Sequence, residues 1–351
     1  MKYVQDCIQS SWISSKGKYI QSFEEKFAEY IGISHAASVS NGTVALHAAL
    51  LALNVEPGDE VIVPTFTYIA SVNAIKYCNA IPVFVDSLES TWQMDPDKVR
   101  KSITPKTKVI LVVHLYGHPC NMGEIMKIAG EFNLLVLEDC AEALGAKFKG
   151  KSIGTFGNIA TFSFFGNKTI TTGEGGMVIS DDPEIIDRVM HIKGQGLAKD
   201  REYWHDIIGY NYRMTNICAA IGLAQLENVY EILKKKKQIA DWYDENFREI
   251  GMVTNYTEDP DIVHAYWMFS LLMNDSINRD ALRAHLREQG IETRPLFPPI
   301  HTMPMYYNET YSFPVAERLG MLGINLPSYP ELTKHDVSVI CDAIRSFIHK
   351  G

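Results

Sequence analysis

Short apolar runs recur along the first half of the chain, at residues 36–40, 60–63, 81–85, 108–113, 134–137, 159–162 and 177–180. Each is bounded by turn-forming residues, and most are separated by a stretch long enough for a helix, which predicts seven β-strands. Between them, apolar positions return at helical spacing. Ile20, Phe23, Phe27 and Tyr30 mark one such helix, and 44–53, 123–132 and 183–193 mark others. Strands alternating with helices imply an α/β fold whose sheet is mostly parallel and covered on both faces. One long amphipathic helix is predicted from 216 through 237 and on to Glu249. From about Gly251 the pattern changes to a smaller α+β unit, with a strand at 264–273, a helix at 279–289 and a last helix at 334–349. The expected division is a large domain over 1–245 and a small C-terminal domain over 246–351.

Composition narrows the class. The chain has 351 residues, 46% of them hydrophobic and 21% charged, as in an ordinary globular protein. A net charge of -9 argues against nucleic acid as the main partner. The basic run 234–237 lies in a helical pattern and reads as a solvated face. Six scattered cysteines with no CxxC pair suggest a reducing compartment without disulfides or zinc. No apolar run reaches membrane-spanning length, so a cytoplasmic protein with no membrane partner is expected.

In parallel sheets ligands bind beyond the carboxyl ends of the strands, and several candidate residues stand there. Lys168 follows the strand at 159–162, among hydroxyls and small residues that suit an imine-forming amine. Asp139 ends a buried strand, where a carboxylate needs a cationic partner. Asn41, Gly42 and Thr43 open a helix whose free N–H groups could hold a phosphate, or could form a simple N-cap. Ser163 could give a hydroxyl to the same phosphate, or close a strand-end turn. Phe66 could stack on a ring, or belong to the core. Separate bland causes would not put all of these on one sheet edge. Together they supply what pyridoxal phosphate asks of a protein: an amine, a carboxylate for the ring nitrogen, a phosphate cradle and a stacking group. His114 and His118 have metal-ligand spacing but flank Gly117 and Pro119 after a strand, so no metal site is expected.

Four stretches carry a likeness to a known family: Gly166, Asn167 and Lys168 with Thr-Thr-Gly-Glu-Gly-Gly at 171–176; Glu-Asp-Cys-Ala-Glu-Ala-Leu-Gly at 138–145; Ser-Asn-Gly-Thr at 40–43; and Gly-Tyr-Asn-Tyr-Arg-Met at 209–214. In their order along the chain they resemble the nucleotide-sugar aminotransferases of pyridoxal phosphate fold type I, over nearly the whole chain. The nearest likeness is to the 4-aminotransferases that make perosamine or viosamine nucleotides. The resemblance implies that Lys168 forms the imine with the cofactor and Asp139 binds its ring nitrogen. It implies that Ser163, Gly42 and Thr43 hold the phosphate, that Phe66 stacks, and that Glu142 lies near the ring hydroxyl. Asn211 would reach the phosphate across a homodimer interface. Arg294 and His301, in a proline-rich turn, could meet the sugar or its diphosphate, or form a structural turn. Relatives that act as dehydratases carry histidine at the lysine position, so Lys168 favours amino transfer from L-glutamate to a 4-keto-6-deoxy nucleotide sugar.

Three rival readings are weaker or differ only in detail. A P-loop would need Gly-Lys-Ser/Thr, which Asn167 interrupts, and a glycine where Thr161 stands. A catalytically silent protein of this fold would not need the lysine, aspartate and serine together. A 3-aminotransferase acting on a 3-keto nucleotide sugar is not separated from the 4-aminotransferase by any residue physics.

Overall fold

The computed structural model describes residues 1–248, 252–274 and 277–348. The seven expected strands form one sheet: β1 His35–Val39, β2 Glu60–Pro64, β3 Ile81–Val85, β4 Thr107–Val113, β5 Leu135–Asp139, β6 Ile159–Ser163 and β7 Gly176–Ser180. Their spatial order is β1-β7-β6-β5-β4-β2-β3. All neighbours pair parallel except β7, which runs antiparallel to both β1 and β6. The other six strands therefore end on one edge, and β7 begins there.

Both faces of the sheet are buried, which is why its strands read as continuous apolar runs. Val61, Val63, Val109 and Leu111 pack on one side with the helices Gly42–Ala52 and Ile69–Tyr77. Ile62, Ile110, Val112 and Val136 pack on the other with Met122–Phe132. The period-2 alternation of a strand sends neighbours to opposite faces.

A buried ion pair fixes the edge strand β1 just ahead of its end. Glu24 accepts the Ser38 backbone N–H and hydroxyl, both at 2.7 Å. Lys193 Nζ donates to the Ser38 carbonyl at 2.8 Å and lies 3.3 Å from Glu24. A second sheet is antiparallel throughout, formed by β8 Val253–Thr254, β9 Phe269–Leu272, β10 Arg294–Pro295 and β11 Gly323–Leu326 in the order β8-β9-β11-β10. No helix among the described residues is long and apolar enough to cross a membrane.

Three expectations need correction. The long helix is two, Asn216–Leu226 and Val229–Arg248. Asn228 breaks it: its side chain takes the Ala224 carbonyl at 2.8 Å while its own N–H turns back to Gln225. In the basic run, Lys236 is buried rather than solvated. It donates to the carbonyls of Trp267 at 2.9 Å and Ser328 at 2.8 Å, and burial lowers its pKa to about 8. The strand expected at 264–273 is only Phe269–Leu272, because Tyr266 adopts a left-handed φ of 47° that no strand tolerates. The helices Lys2–Ser10 and Pro314–Leu322 and the strand Gly323–Leu326 were not anticipated. The expected boundaries at Glu249, Gly251 and His349 lie outside the described residues.

Glu138, fully buried in β5, anchors the loop that precedes β6. One of its oxygens accepts the N–H groups of Phe156 and Gly157, and the other accepts Gly154 N–H and faces His114 Nε2 at 3.1 Å. Cys120 N–H donates to His114 Nδ1, which assigns the imidazole proton to Nε2 and makes it a donor to Glu138. His114, Glu138 and Cys140 bring ligand-type atoms within 4.8 Å of one another, yet the first two are already spent on these hydrogen bonds. Burial alone would raise the Glu138 pKa, but His114 and the backbone donors outweigh it and hold the carboxyl below its ordinary 4.5. A depressed folded-state pKa contributes stability above the ordinary value, and that contribution is lost as pH falls through the lowered one. Glu138→Gln is expected to cost about 2–4 kcal/mol at pH 7 by urea denaturation. The gap from the wild type should shrink as the pH is taken below about 4.

Candidate active site

A cavity of about 570 Å³ opens at the carboxyl edge of the large sheet. It collects residues from five separate strand ends, as the topology dictates. Ser163 ends β6, and the chain then loops out and returns to start β7 at Gly176, which pairs with both Ser163 and Val39. Inside this loop Phe164 N–H donates to the Gly175 carbonyl, Thr172 N–H to Phe164, and Lys168 N–H to Phe165. Phe164 and Ile170 are buried beneath it, so Lys168 is presented from a closed and anchored turn. The two glycines that close it are there for space. A Cβ at Gly176 would stand 2.7 Å from the Asn41 carbonyl oxygen, and one at Gly175 would stand 2.2 Å from Thr172 Oγ1.

Lys168 Nζ lies 3.5 Å from Glu142 Oε1 and 3.8 Å from the centre of the Trp267 ring. Glu142 is buried, which raises its pKa against the pull of Lys168 and of the Tyr116 N–H that it accepts at 2.9 Å. Asp139 also has its pKa raised by burial, opposed by Ser71, Ala141 and Lys168. It accepts Ser71 Oγ–H at 2.8 Å and Ala141 N–H at 3.1 Å. Opposite, Asn41 caps the Gly42–Ala52 helix by accepting Val44 N–H at 3.0 Å. Asn41, Gly42 and Thr43 line the cavity beside Ser163, with the positive end of the helix dipole facing it.

The structure brings most of the expected residues together and leaves four apart. Phe66 is a core residue, 1% exposed and edge-on to Tyr116, and it does not line the cavity. Of the aromatic side chains that do, Tyr68 follows the same strand end, and it stands 5.5 Å from Phe297 by ring centres. His301 is buried between Thr65 Oγ1 at 2.8 Å and Glu317 at 3.2 Å and does not line the cavity. Arg294 is exposed and paired with Glu292. It lines a neighbouring cleft of about 740 Å³ that also reaches Lys168, Asn167 and Trp267. Asn211 lies off the cavity of its own chain, where its side chain accepts from Arg213 at 3.1 Å. Trp267, Tyr68 and Ser71 were missed. Only Tyr68 left a signal, as the next aromatic after Phe66 past the strand end at Pro64.

These residues fit pyridoxal phosphate. A buried carboxylate with a raised pKa awaits a cationic partner, and the cradle is shaped by the absence of a Cβ at Gly42, where one would stand 2.8 Å from Ser163 Cβ. The profile of the DegT/DnrJ/EryC1/StrS aminotransferase family matches residues 1–345. The chain belongs to that family. It is a pyridoxal phosphate-dependent aminotransferase. It is 59% identical to the GDP-perosamine synthase of Escherichia coli O157:H7, over 99% of this chain and 94% of that protein. Identity to the GDP-perosamine synthase of Vibrio cholerae is 47%, over 99% and 96%. Among solved structures, DesV of S. venezuelae in complex with a ketimine intermediate superposes with a TM-score of 0.92 at 34% identity, covering 98% of this chain and 93% of that one. Spr1654 of Streptococcus pneumoniae in its PLP form gives 0.93 at 28%, covering 99% and 95%.

Gly42→Ala in this aminotransferase should push the cradle and Ser163 apart. An absorbance titration is expected to show cofactor binding weakened by at least about tenfold, or about 1.4 kcal/mol.

Proposed function

We propose that this aminotransferase moves the amino group of L-glutamate to the C4 keto carbon of a GDP-linked 4-keto-6-deoxyhexose, giving a GDP-perosamine-type product. The observation that carries the chemistry is one cavity lined by Lys168, Asp139 and the Asn41 helix start together. The two GDP-perosamine synthases similar over their whole length support GDP and C4. When bound, the cofactor supplies an electron-accepting ring that lets the donor Cα–H bond break.

Each residue then has a defined task. Asp139, held by Ser71 and Ala141, would keep the ring nitrogen protonated. The Asn41, Gly42 and Thr43 backbone and the Ser163 hydroxyl would hold the phosphate. Tyr68, in place of Phe66, would cover the ring, and Glu142 would lie near its hydroxyl. Lys168 would bind the cofactor and, once freed, hold and move the proton taken from the donor Cα. Arg294, on the adjoining cleft, would meet the sugar diphosphate.

The enzyme would act as a homodimer in the cytoplasm. Tyr203 and Ile208 are 93% and 88% exposed on the loop that leads to Asn211, an apolar surface that suits a second copy. Asn211 would then complete the partner's phosphate site. The second sheet, within 246–351, would form the smaller domain against 1–245.

Lys168→Ala is expected to abolish both the absorbance of the imine between the cofactor and that lysine and all turnover; retained turnover would sink the assignment. Incubation with glutamate and GDP-, UDP- and dTDP-linked keto sugars, followed by mass and NMR analysis, should yield a 4-amino GDP-sugar. Amination of 3-keto substrates alone would replace the C4 reading with a C3 one, and preference for UDP or dTDP would point to a viosamine-type product.

A further inference from the structure

We propose that Trp267 is a positioning residue for the catalytic amine: its ring face and the Glu142 carboxylate form a niche that holds Lys168 Nζ when that amine is free of the cofactor and carries a proton. This rests on the reading of Lys168 as the reacting amine. Nζ stands 3.8 Å from the ring centre on one side and 3.5 Å from the carboxylate on the other. An aromatic face and a carboxylate are the two kinds of surface that attract an ammonium group.

The same side chain also fixes the backbone from which Lys168 hangs. Trp267 Nε1–H donates to the Asn167 carbonyl at 2.8 Å. Lysine has a long stem with many rotamers, and a residue that grips both the preceding peptide and the terminal amine leaves Nζ a short arc to travel. The niche itself is held rigid from outside. The Tyr116 ring lies parallel to Trp267 at 6.2 Å and 10°, and Tyr116 N–H donates to Glu142, so one residue braces both walls. On the far side the Trp267 carbonyl accepts from the buried Lys236, which also donates to Ser328. Lys236 thus moors the niche to the chain that follows β11.

A residue that merely packs would affect stability and nothing else. A niche for the amine makes a different claim: Lys168 becomes more accessible to reagents, and turnover falls, when the ring is lost. The test is reductive methylation of the full-length protein freed of cofactor, with modification at Lys168 quantified by mass spectrometry against the exposed Lys234. Trp267→Leu is expected to label Lys168 faster by about 2- to 30-fold, the range of a cation–π contact. Trp267→Phe, which keeps a ring face and loses the Nε1–H bond, should fall between. In the reconstituted enzyme kcat should drop while KM for glutamate holds. If Lys168 labelling in folded Trp267→Leu stays within about twofold of the wild type, the proposal is overturned. Should that variant fail to fold, Trp267→Phe and Lys236→Met carry the test: faster labelling in both supports the niche, and unchanged labelling in either overturns it. Labelling needs no sugar, so an error in the assigned substrate would leave this result standing.

Discussion

Glu138 keeps a full charge inside the sheet only because four donors surround it, three from the backbone of the turn before β6 and one from His114. That turn could not approach β5 so closely without the carboxylate, and the carboxylate could not stay ionised without the turn. The next residue points to the opposite face. Asp139 therefore reaches the cavity from a strand whose height and rotation are already set by its neighbour. Burying two adjacent carboxylates would be costly if they shared one environment. The pleat separates them, and each meets a different use: one ionised and saturated with donors, the other with its pKa raised and two partners only.

How much of this was legible depends on whether a residue's surroundings are local. The seven strands could be read because both faces of the sheet are covered, which makes each strand an apolar run. Lys168, Asp139 and the Asn41 helix start could be read because each directly follows such a run. Trp267 could not: what makes it part of the site is its approach to Asn167 and Lys168 from far along the chain. The partners of His301 were hidden for the same reason: a histidine in a proline-rich turn suits a ligand contact, and only the fold brings Thr65 and Glu317 against it. Phe66 and Tyr68 are two residues apart and would share a face in a strand, but β2 ends at Pro64 and the bend over 65–67 breaks that alternation, which the pattern of apolar positions does not show. Lys236 looks like its neighbours in sequence, yet the face of its helix turns one lysine inward to two carbonyls.

The cavity joins elements with different anchoring. The cradle is tied to the sheet edge through Glu24 and Lys193, and the lysine turn through its own hydrogen bonds to Phe164. Trp267 and Phe297 come instead from the later part of the chain, and they bring the second sheet to the same opening. The reacting groups and Tyr68 thus belong to the large-sheet edge, while Trp267 and Phe297 reach the cavity from the later part of the chain.

The reversal of β7 has a consequence for how this protein can change over time. Ser163 and Gly176 are partners on one rung, so the segment between them must leave and re-enter the sheet at the same level. Gly176 also abuts the Asn41 carbonyl, so its position is shared with the cradle. An inserted or deleted residue in that segment could not be absorbed at either end without moving the phosphate site or turning β7 over by one residue. Apart from Lys168, Gly175 and the buried Phe164 and Ile170, side chains in the turn can vary; its length cannot. Variation in chain length is accordingly expected elsewhere, in exposed loop tips such as 199–203, beyond the Ala198 N–H bond to Trp204 that closes the loop.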